Sequence, residues 1–223
     1  MCGCLLDGPG ERLVCRACLE GLEAERRAVC ARCGLFLQAA GPPDACASCV
    51  RNPPPFVRHR SAGIYAGRLK QAILIFKYRG GEVLGRDLAR FAWEALREDA
   101  ALWEGVDGVL AVPLHRRRLR ERGFNQAAVL ARRLAKRAGI PYRDGLLVRR
   151  KNIAPQAGLN SFRRRRNVSG AFAVRRWGEV LGCSLLLVDD VYTTGSTVAE
   201  CCRVLLRAGA GDVRVLTLAR AQN

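Results

Sequence analysis

Leu185-Leu186-Leu187-Val188-Asp189-Asp190-Val191-Tyr192-Thr193-Thr194-Gly195-Ser196-Thr197 is the most informative run in this chain of 223 residues. Four consecutive apolar residues read as a strand over 185–188 that is buried on both faces. Two adjacent carboxylates end it, and a turn of hydroxyls and glycine follows. A helix is expected over 196–208, with Val198, Cys201, Cys202 and Leu205 on its buried side. A helix N-terminus presents free N–H groups and a partial positive charge, which suit a phosphate dianion. Gly195 lets the backbone approach such a group closely, while Thr193, Thr194, Ser196 and Thr197 add hydroxyl donors. Asp189 and Asp190 fall about one sugar length away, where carboxylates can accept from two vicinal hydroxyls. A simple helix cap needs one hydroxyl and leaves the two acids unexplained. The run therefore predicts a ribose 5-phosphate site at the carboxyl end of a parallel strand, where open α/β sheets hold ligands.

Around this run, apolar periods alternate between two and 3.6. Strands are expected over 61–66, 108–112, 146–148 and 212–218. Helices are expected over 69–78, 84–102 and 124–138. The last of these has Ala127, Leu130, Ala131, Leu134 and Ala138 inward and Arg132, Arg133, Lys136 and Arg137 outward. Alternating strands and helices predict an α/β fold with a mainly parallel sheet flanked by helices.

Eight of the eleven cysteines lie in the first 49 residues: Cys2, Cys4, Cys15, Cys18, Cys30, Cys33, Cys46 and Cys49. Three of the four pairs are C-x2-C, a spacing that brings two thiolates to one ion, and two such turns complete a tetrahedron. A disulfide framework would need a secreted chain. The opening Met-Cys-Gly-Cys-Leu-Leu-Asp has neither the basic start nor the apolar core of a secretory signal. Structural Zn2+ is therefore expected, with cytoplasm as the location. The simplest assignment puts Cys2, Cys4, Cys15 and Cys18 on one ion and Cys30, Cys33, Cys46 and Cys49 on another. The spacing fixes neither the number of ions nor the pairing. Pro53-Pro54-Pro55 reads as a stiff connector, dividing a cysteine-rich module (1–51) and a hinge (52–56) from a larger domain (57–223). Cys183, Cys201 and Cys202 read as core filling.

The formal net charge is +18. The first 56 residues carry six basic and six acidic side chains, so the whole excess lies beyond them. Such a domain attracts polyanions, either nucleic acid or substrates with several phosphates, although Arg and Ala enrichment can also reflect genomic composition. Arg163, Arg164, Arg165 and Arg166, with 116–122 and 149–151, form a candidate track for single-stranded DNA. An aromatic content of 6% limits base stacking. No apolar run approaches the roughly 20 residues of a membrane span.

The 185–197 run resembles the phosphoribosyl pyrophosphate signature of type I phosphoribosyltransferases. That resemblance implies ribose contacts from Asp189 and Asp190, and a 5-phosphate loop of Val191, Tyr192, Thr193, Thr194, Gly195, Ser196 and Thr197. It also implies a pyrophosphate-cradling loop of Pro113, Leu114, His115, Arg116, Arg117 and Arg118, and a Mg2+ ion bound with the substrate. Nearly the whole chain is similar to the ComF family, a zinc ribbon fused to a phosphoribosyltransferase-like domain. The similarity is carried by the Cys pairs, the proline segment, Lys77-Tyr78-Arg79-Gly80, Val112-Pro113-Leu114, Arg122-Gly123-Phe124-Asn125-Gln126, Gln156, the stretch from Arg163 to Asn167-Val168, and the 185–197 run. The family usually opens with a full C-x2-C pair, where this chain has Met1 and an offset Cys2. Arg122, Gly123, Phe124, Asn125 and Gln126 would belong to a hood over the acceptor, with Phe124 either a stacking surface or packing at the start of its helix. Family membership implies a role in natural transformation, handling incoming single-stranded DNA beside a helicase partner. The alternative is an active transferase of nucleotide metabolism without a DNA role. No side chain identifies an acceptor, and none is assigned to catalysis; His115 is a candidate for proton transfer.

Overall fold

Period-two alternation within a strand sends neighbouring side chains to opposite faces, and the 185–188 run has apolar residues at every position. In the computed structural model, which describes residues 14–37, 45–78, 81–150 and 170–222, that run lies inside a longer strand, β5 (Ser184–Tyr192). The other strands of its sheet are β1 (Arg58–Ile64), β2 (Gly108–Ala111) and β6 (Asp212–Arg220). The order is β1-β6-β5-β2, with all pairs parallel. Leu186 and Val188 pack with Leu216 and Leu218 on one face. Leu185 and Leu187 pack with Val213 and Val215 on the other. The expected α/β class with a parallel sheet is therefore found.

The first face is covered by α3 (Gly67–Tyr78), α4 (Gly81–Leu96) and α7 (Gln126–Ala138). They contribute Ile73 and Phe76, Leu84 and Leu88, and Leu130 and Leu134. The second face is covered by α8 (Ser196–Arg207), through Val198, Cys201, Cys202 and Leu205. A small antiparallel sheet, β3 (Leu147–Arg149) with β4 (Phe172–Val174), also lies there. So does a turn carrying Cys30 and Cys33, followed by Cys46 and Cys49. Two short helices, α1 (Arg16–Glu20) and α2 (Ala47–Arg51), start directly after Cys15 and Cys46.

Several boundaries differ from expectation for identifiable reasons. The helix expected over 84–102 is interrupted at 97–99, giving α4 and a short α5 (Ala100–Trp103). Asp99 leaves the helical path and receives the guanidiniums of Arg58 at 2.7 Å and Arg60 at 2.8 Å. β1 begins at Arg58 rather than at 61 because its polar residues are buried with partners: His59 and Arg60 both lie inside. β3 runs parallel to no strand and pairs with β4, away from the main sheet. Arg116–Arg122 is a helix, α6, and not a loop; His115 caps it by accepting the Arg117 N–H on Nδ1 at 3.1 Å. Helix α7 starts at Gln126, two residues later than expected, because Asn125 is its cap.

The cysteine turn sits directly on the domain that follows it. Arg32 donates to the carbonyls of Pro54 and Phe56, and His59 N–H donates to the Arg32 carbonyl at 2.8 Å. The proline segment thus connects two parts in contact and does not hold them apart. Val14, Cys18, Leu19 and Leu22 join the core on the α3 side.

Leu186, buried at the centre of this arrangement, should cost about 2–5 kcal/mol of stability when changed to Ala. The same change at exposed Leu206 should cost less than about 1 kcal/mol. Urea unfolding followed by circular dichroism measures both, and equal losses would contradict the burial pattern.

Candidate functional site

Strand β5 does not stop at Val188 but carries its acids into the last turn of the sheet, where Asp189 lies in register with Thr217. Asp190 N–H donates to Asp189 Oδ1 at 2.8 Å, and Lys77 Nζ, near the end of α3, is 3.1 Å from Asp190 Oδ2. Burial, reinforced by the charge of Asp190, pushes the Asp189 carboxyl up to about 7, against the opposing pull of the Asp190 N–H and Lys77. Lys77 is held from behind: Gln126 donates to its carbonyl at 3.4 Å, and Arg122 donates to Gln126 Oε1 at 3.0 Å. Asp189, Asp190, Lys77 and Thr197 line one small pocket of about 140 Å3.

After Tyr192, the turn Thr193-Thr194-Gly195 leads into α8. Gly195 has φ +71° and occupies the cap position, so the first turn of α8 has no cap side chain to accept from its N–H groups. Thr194 Oγ1 and Ser196 Oγ are 2.9 Å apart. Thr193, Thr194, Gly195 and Ser196 line a second cavity of about 400 Å3, on the side of the cysteine turn. Tyr192 points to that side and is buried, whereas Val191 packs against the α3–α7 core. The nine residues expected to form one site are therefore split between two cavities and the core.

Facing the acids across the small pocket are Pro113, Leu114, Arg118, Arg122 and Arg149. Arg116 and Arg117 are exposed, and Arg117 is bound to Glu121 at 2.8 Å. The His115 ring is occupied in capping α6. Desolvation and then the charges of Arg149, Arg117, Arg118 and Arg120 lower its pKa, leaving a neutral ring that suits the cap. Phe124 is half-buried, with its ring 5.6 Å from that of Phe76, and Asn125 donates to the Val112 carbonyl at 3.1 Å. Their contacts are those of the start of a helix. Phe124 and Gly123 also border a cavity of about 470 Å3 beyond Pro113 and Leu114, on the outer side of β2.

Two charged residues of the pocket were not assigned to it from sequence. Lys77 stands in the sequence as the last cation of a helix and within the family-like Lys77-Tyr78-Arg79-Gly80, with no site role attached, and Arg149 as part of a basic run after a strand. Arg149 Nε is buried without a hydrogen-bond partner among the described residues, and its guanidinium lies over the Phe172 ring at 5.5 Å. A buried fork with an unused donor suits an anionic ligand. Arg163, Arg164, Arg165, Arg166, Gln156, Asn167, Val168, Arg79 and Gly80 lie outside the described residues, as do Cys2 and Cys4.

Cys30, Cys33, Cys46 and Cys49 converge, with all four sulfurs within 4.8 Å of one another. A tetrahedron of Zn–S bonds near 2.3 Å requires sulfurs about 3.8 Å apart. Cys33 Sγ and Cys46 Sγ are separated by 3.8 Å. The Cys30 sulfur faces the N–H groups of Cys46 at 3.2 Å and Cys33 at 3.5 Å. Burial opposes ionisation of this thiol, but the N–H donors of Cys33, Cys46 and Arg32 outweigh it and bring its pKa down to about 7. This donor set fits a structural Zn2+, with no position left for water. Cys15 and Cys18 lie on the other side of the molecule's core, with Cys18 buried there. Elemental analysis of Cys46→Ser should show one zinc fewer per chain than the wild type, together with a lower melting temperature. An unchanged zinc content would mean that the ion is held elsewhere.

No protein-family model matches the chain. It is 34% identical over 210 residues to the DNA utilization protein YhgH of Salmonella typhimurium, covering 93% of this chain and 90% of that one. It is 32% identical to competence protein F of Haemophilus influenzae over 86% of this chain and 84% of that one. Competence protein ComFC of Streptococcus pneumoniae is 31% identical, over 74% and 69% of the two chains. Among solved structures, the glutamine phosphoribosylpyrophosphate amidotransferase from B. subtilis superposes with a TM-score of 0.45 at 20% identity, covering 65% of this chain and 30% of that one. An adenine phosphoribosyltransferase does so with a TM-score of 0.38 at 16% identity, over 60% and 70%. Identity above 30% across most of both chains, with the four-cysteine cluster and the parallel sheet in place, makes this protein a member of the ComF family of competence and DNA-utilization proteins.

Proposed function

We propose that the carboxyl end of β5, from the small pocket across to the adjoining 193–197 loop, binds phosphoribosyl pyrophosphate, and that the protein uses this site while handling incoming single-stranded DNA in the cytoplasm, beside a helicase. One observation carries the binding half. Two adjacent carboxylates lie near the carboxyl end of β5, a glycine-capped helix starts six residues beyond the second, and Arg118, Arg122 and Arg149 line the same pocket as the acids. Asp189 and Asp190 would accept from the ribose hydroxyls, and 193–197 would take the 5-phosphate. The three guanidiniums would take the diphosphate. The oxygen donors of Asp189 and Asp190 suit a hard ion such as Mg2+, which would supply positive charge to offset that of the diphosphate. The DNA half is supported by the names of the relatives and by the placing of the positive charge beyond residue 56. Among the described residues no helix is long and apolar enough to cross a membrane. The division into 1–51, 52–56 and 57–223 remains our working description of the chain.

A second reading, transfer of the ribosyl group with release of pyrophosphate, is favoured by the same trio of guanidiniums, which would stabilise a departing diphosphate. Pyrophosphate release in the presence of candidate bases and amines separates transfer from binding alone.

Calorimetry with phosphoribosyl pyrophosphate and Mg2+, with and without a single-stranded oligonucleotide, tests the main reading. Saturable sugar-phosphate binding is expected, as is DNA affinity that falls steeply with salt. DNA binding unaffected by salt and by neutralising Arg163, Arg164, Arg165 and Arg166 would remove the DNA role.

Arg149→Met should weaken phosphoribosyl pyrophosphate by roughly tenfold or more while changing ribose 5-phosphate affinity little, because the latter has no diphosphate. Equal losses for both ligands would take Arg149 out of the diphosphate subsite.

The pH dependence has a definite sign. The Asp189 carboxyl is raised to about 7, so it keeps its proton at pH 6 and gives it up by pH 8. The carboxylate accepts on both oxygens and carries charge, whereas the protonated form turns one oxygen into a donor, and affinity should therefore rise through pH 7. Ligand phosphate ionises near pH 6, so Asp189→Asn is the control. Its profile should retain only the ligand's contribution.

A further inference from the structure

The cysteine turn and the 193–197 loop border the same cavity of about 400 Å3: Cys33, Cys46 and Cys49 on one wall, Thr193, Thr194, Gly195 and Ser196 on another. The space between them leaves the Tyr192 ring and the groups around it as the connection. Cys33 offers its carbonyl to two donors at once, Arg220 Nη1 at 2.7 Å and His59 Nδ1 at 2.8 Å. A carbonyl only accepts, so the His59 proton sits on Nδ1. Nε2 is then an acceptor with one lone pair, next to the hydroxyls of Thr217 at 3.0 Å and Ser61 at 3.2 Å, of which one can donate to it. Both donors of the Cys33 carbonyl also hold Tyr192. The His59 ring stacks on it at 4.3 Å with an interplanar angle of 23°, and the Arg220 guanidinium lies 4.6 Å from its centroid. Arg220 is in addition the cross-strand neighbour of Tyr192 in the β5–β6 register, and Phe56 closes the ring edge-on at 6.4 Å.

Gly195 rests on that ring. A Cβ at Gly195 would fall 2.2 Å from Tyr192 Oη and 2.4 Å from Cζ, so the loop backbone lies against the phenol with no room for a side chain between. A displacement of the ring therefore passes to Gly195 and to the first N–H groups of α8. At the far end the turn is equally well fixed. Arg60 Nη1 donates to the carbonyls of Cys30 and Ala31, the Arg32 carbonyl accepts from His59 N–H, and a Cβ on Gly34 would sit 2.5 Å from the His59 oxygen.

We propose that the four-cysteine turn positions the 193–197 loop, acting from the Cys33 carbonyl through Arg220 and His59 to the ring of Tyr192. The metal that this turn fits would then secure the geometry of the loop as well as the fold of the N-terminal part. Tyr192, His59 and Arg220 are positioning residues in this scheme, and none needs to touch the ligand. The consequence for affinity rests on the phosphate reading of the loop; the mechanical coupling does not.

The test uses the full chain and two readouts, hydrogen–deuterium exchange by mass spectrometry and calorimetry with ribose 5-phosphate. Wild type treated with a zinc chelator, and Arg220→Met with its zinc content verified, should both exchange about tenfold faster over 193–200 while α7 keeps its protection. Arg220→Lys, which retains a cation near the ring, should recover part of the protection. Ribose 5-phosphate affinity should fall by about tenfold in Arg220→Met. Unchanged loop exchange after loss of the metal would overturn the proposal. So would acceleration shared equally by α7, because the turn would then support the whole domain and not the loop. If wild type binds no ribose 5-phosphate but the loop responds as expected, the phosphate reading fails and the coupling stands. If wild type binds it and neither the metal nor Arg220 alters loop exchange or affinity, the coupling fails and the phosphate reading stands.

Discussion

Strand β5 has no solvent on either face along its apolar half, and it lies between β6 and β2 in a sheet where every pairing is parallel. Parallel strands reach stability only when both faces are covered, and this single requirement organises the rest of the molecule. Helices α3, α4 and α7 provide one cover. The other is assembled from less regular parts: α8, a two-stranded sheet and a cysteine turn. Because the strand is fixed along its length, its carboxyl end is fixed too. Asp189 and Asp190 emerge there into a pocket whose far wall comes from three separate elements.

The electrostatics of that pocket follow from burial as much as from composition. Two carboxylates in adjacent positions would both ionise in water, yet enclosure and mutual repulsion raise Asp189 while Lys77 stands beside Asp190. The surplus of arginine noted in the sequence is mostly spread over the surface. Among the described residues, the arginines that line the pocket are Arg118, Arg122 and Arg149, and Arg117 is paired with a glutamate on its own helix. Net charge indicates which ligands are attracted, whereas placement determines what is held.

Much of this was legible in the residues because each signal was local. An uninterrupted apolar run, a glycine before an amphipathic period and paired C-x2-C turns report on their immediate neighbourhoods, and all three were found where expected. What was not legible depends on distant partners. Arg58, His59 and Arg60 look like poor strand material until Asp99, Cys33 and Thr217 are placed around them. The break in the 84–102 helix has the same origin. The capping role of His115 was obscured by the arginines around it, which suggested a phosphate loop where a helix begins. Arg149 pointed toward nucleic acid in the sequence and faces the acid pair in the fold. The 193–197 run reads as one motif, but strand geometry sends its neighbours to different sides.

The position of β6 has a consequence for how the chain is made. It separates β1 from β5 in the sheet, although it is the last described strand to leave a ribosome. During synthesis β1 therefore has no strand to pair with, and His59 waits for Thr217, 158 residues later. The cysteine turn can take up a metal early, because its four ligands span only residues 30–49, but its seat on the sheet is completed late. Contacts of such long sequence separation slow folding and leave one edge of the apolar β5 and the thiols exposed in the interval. A metal taken up by the turn would limit that exposure by masking the thiols before the sheet closes.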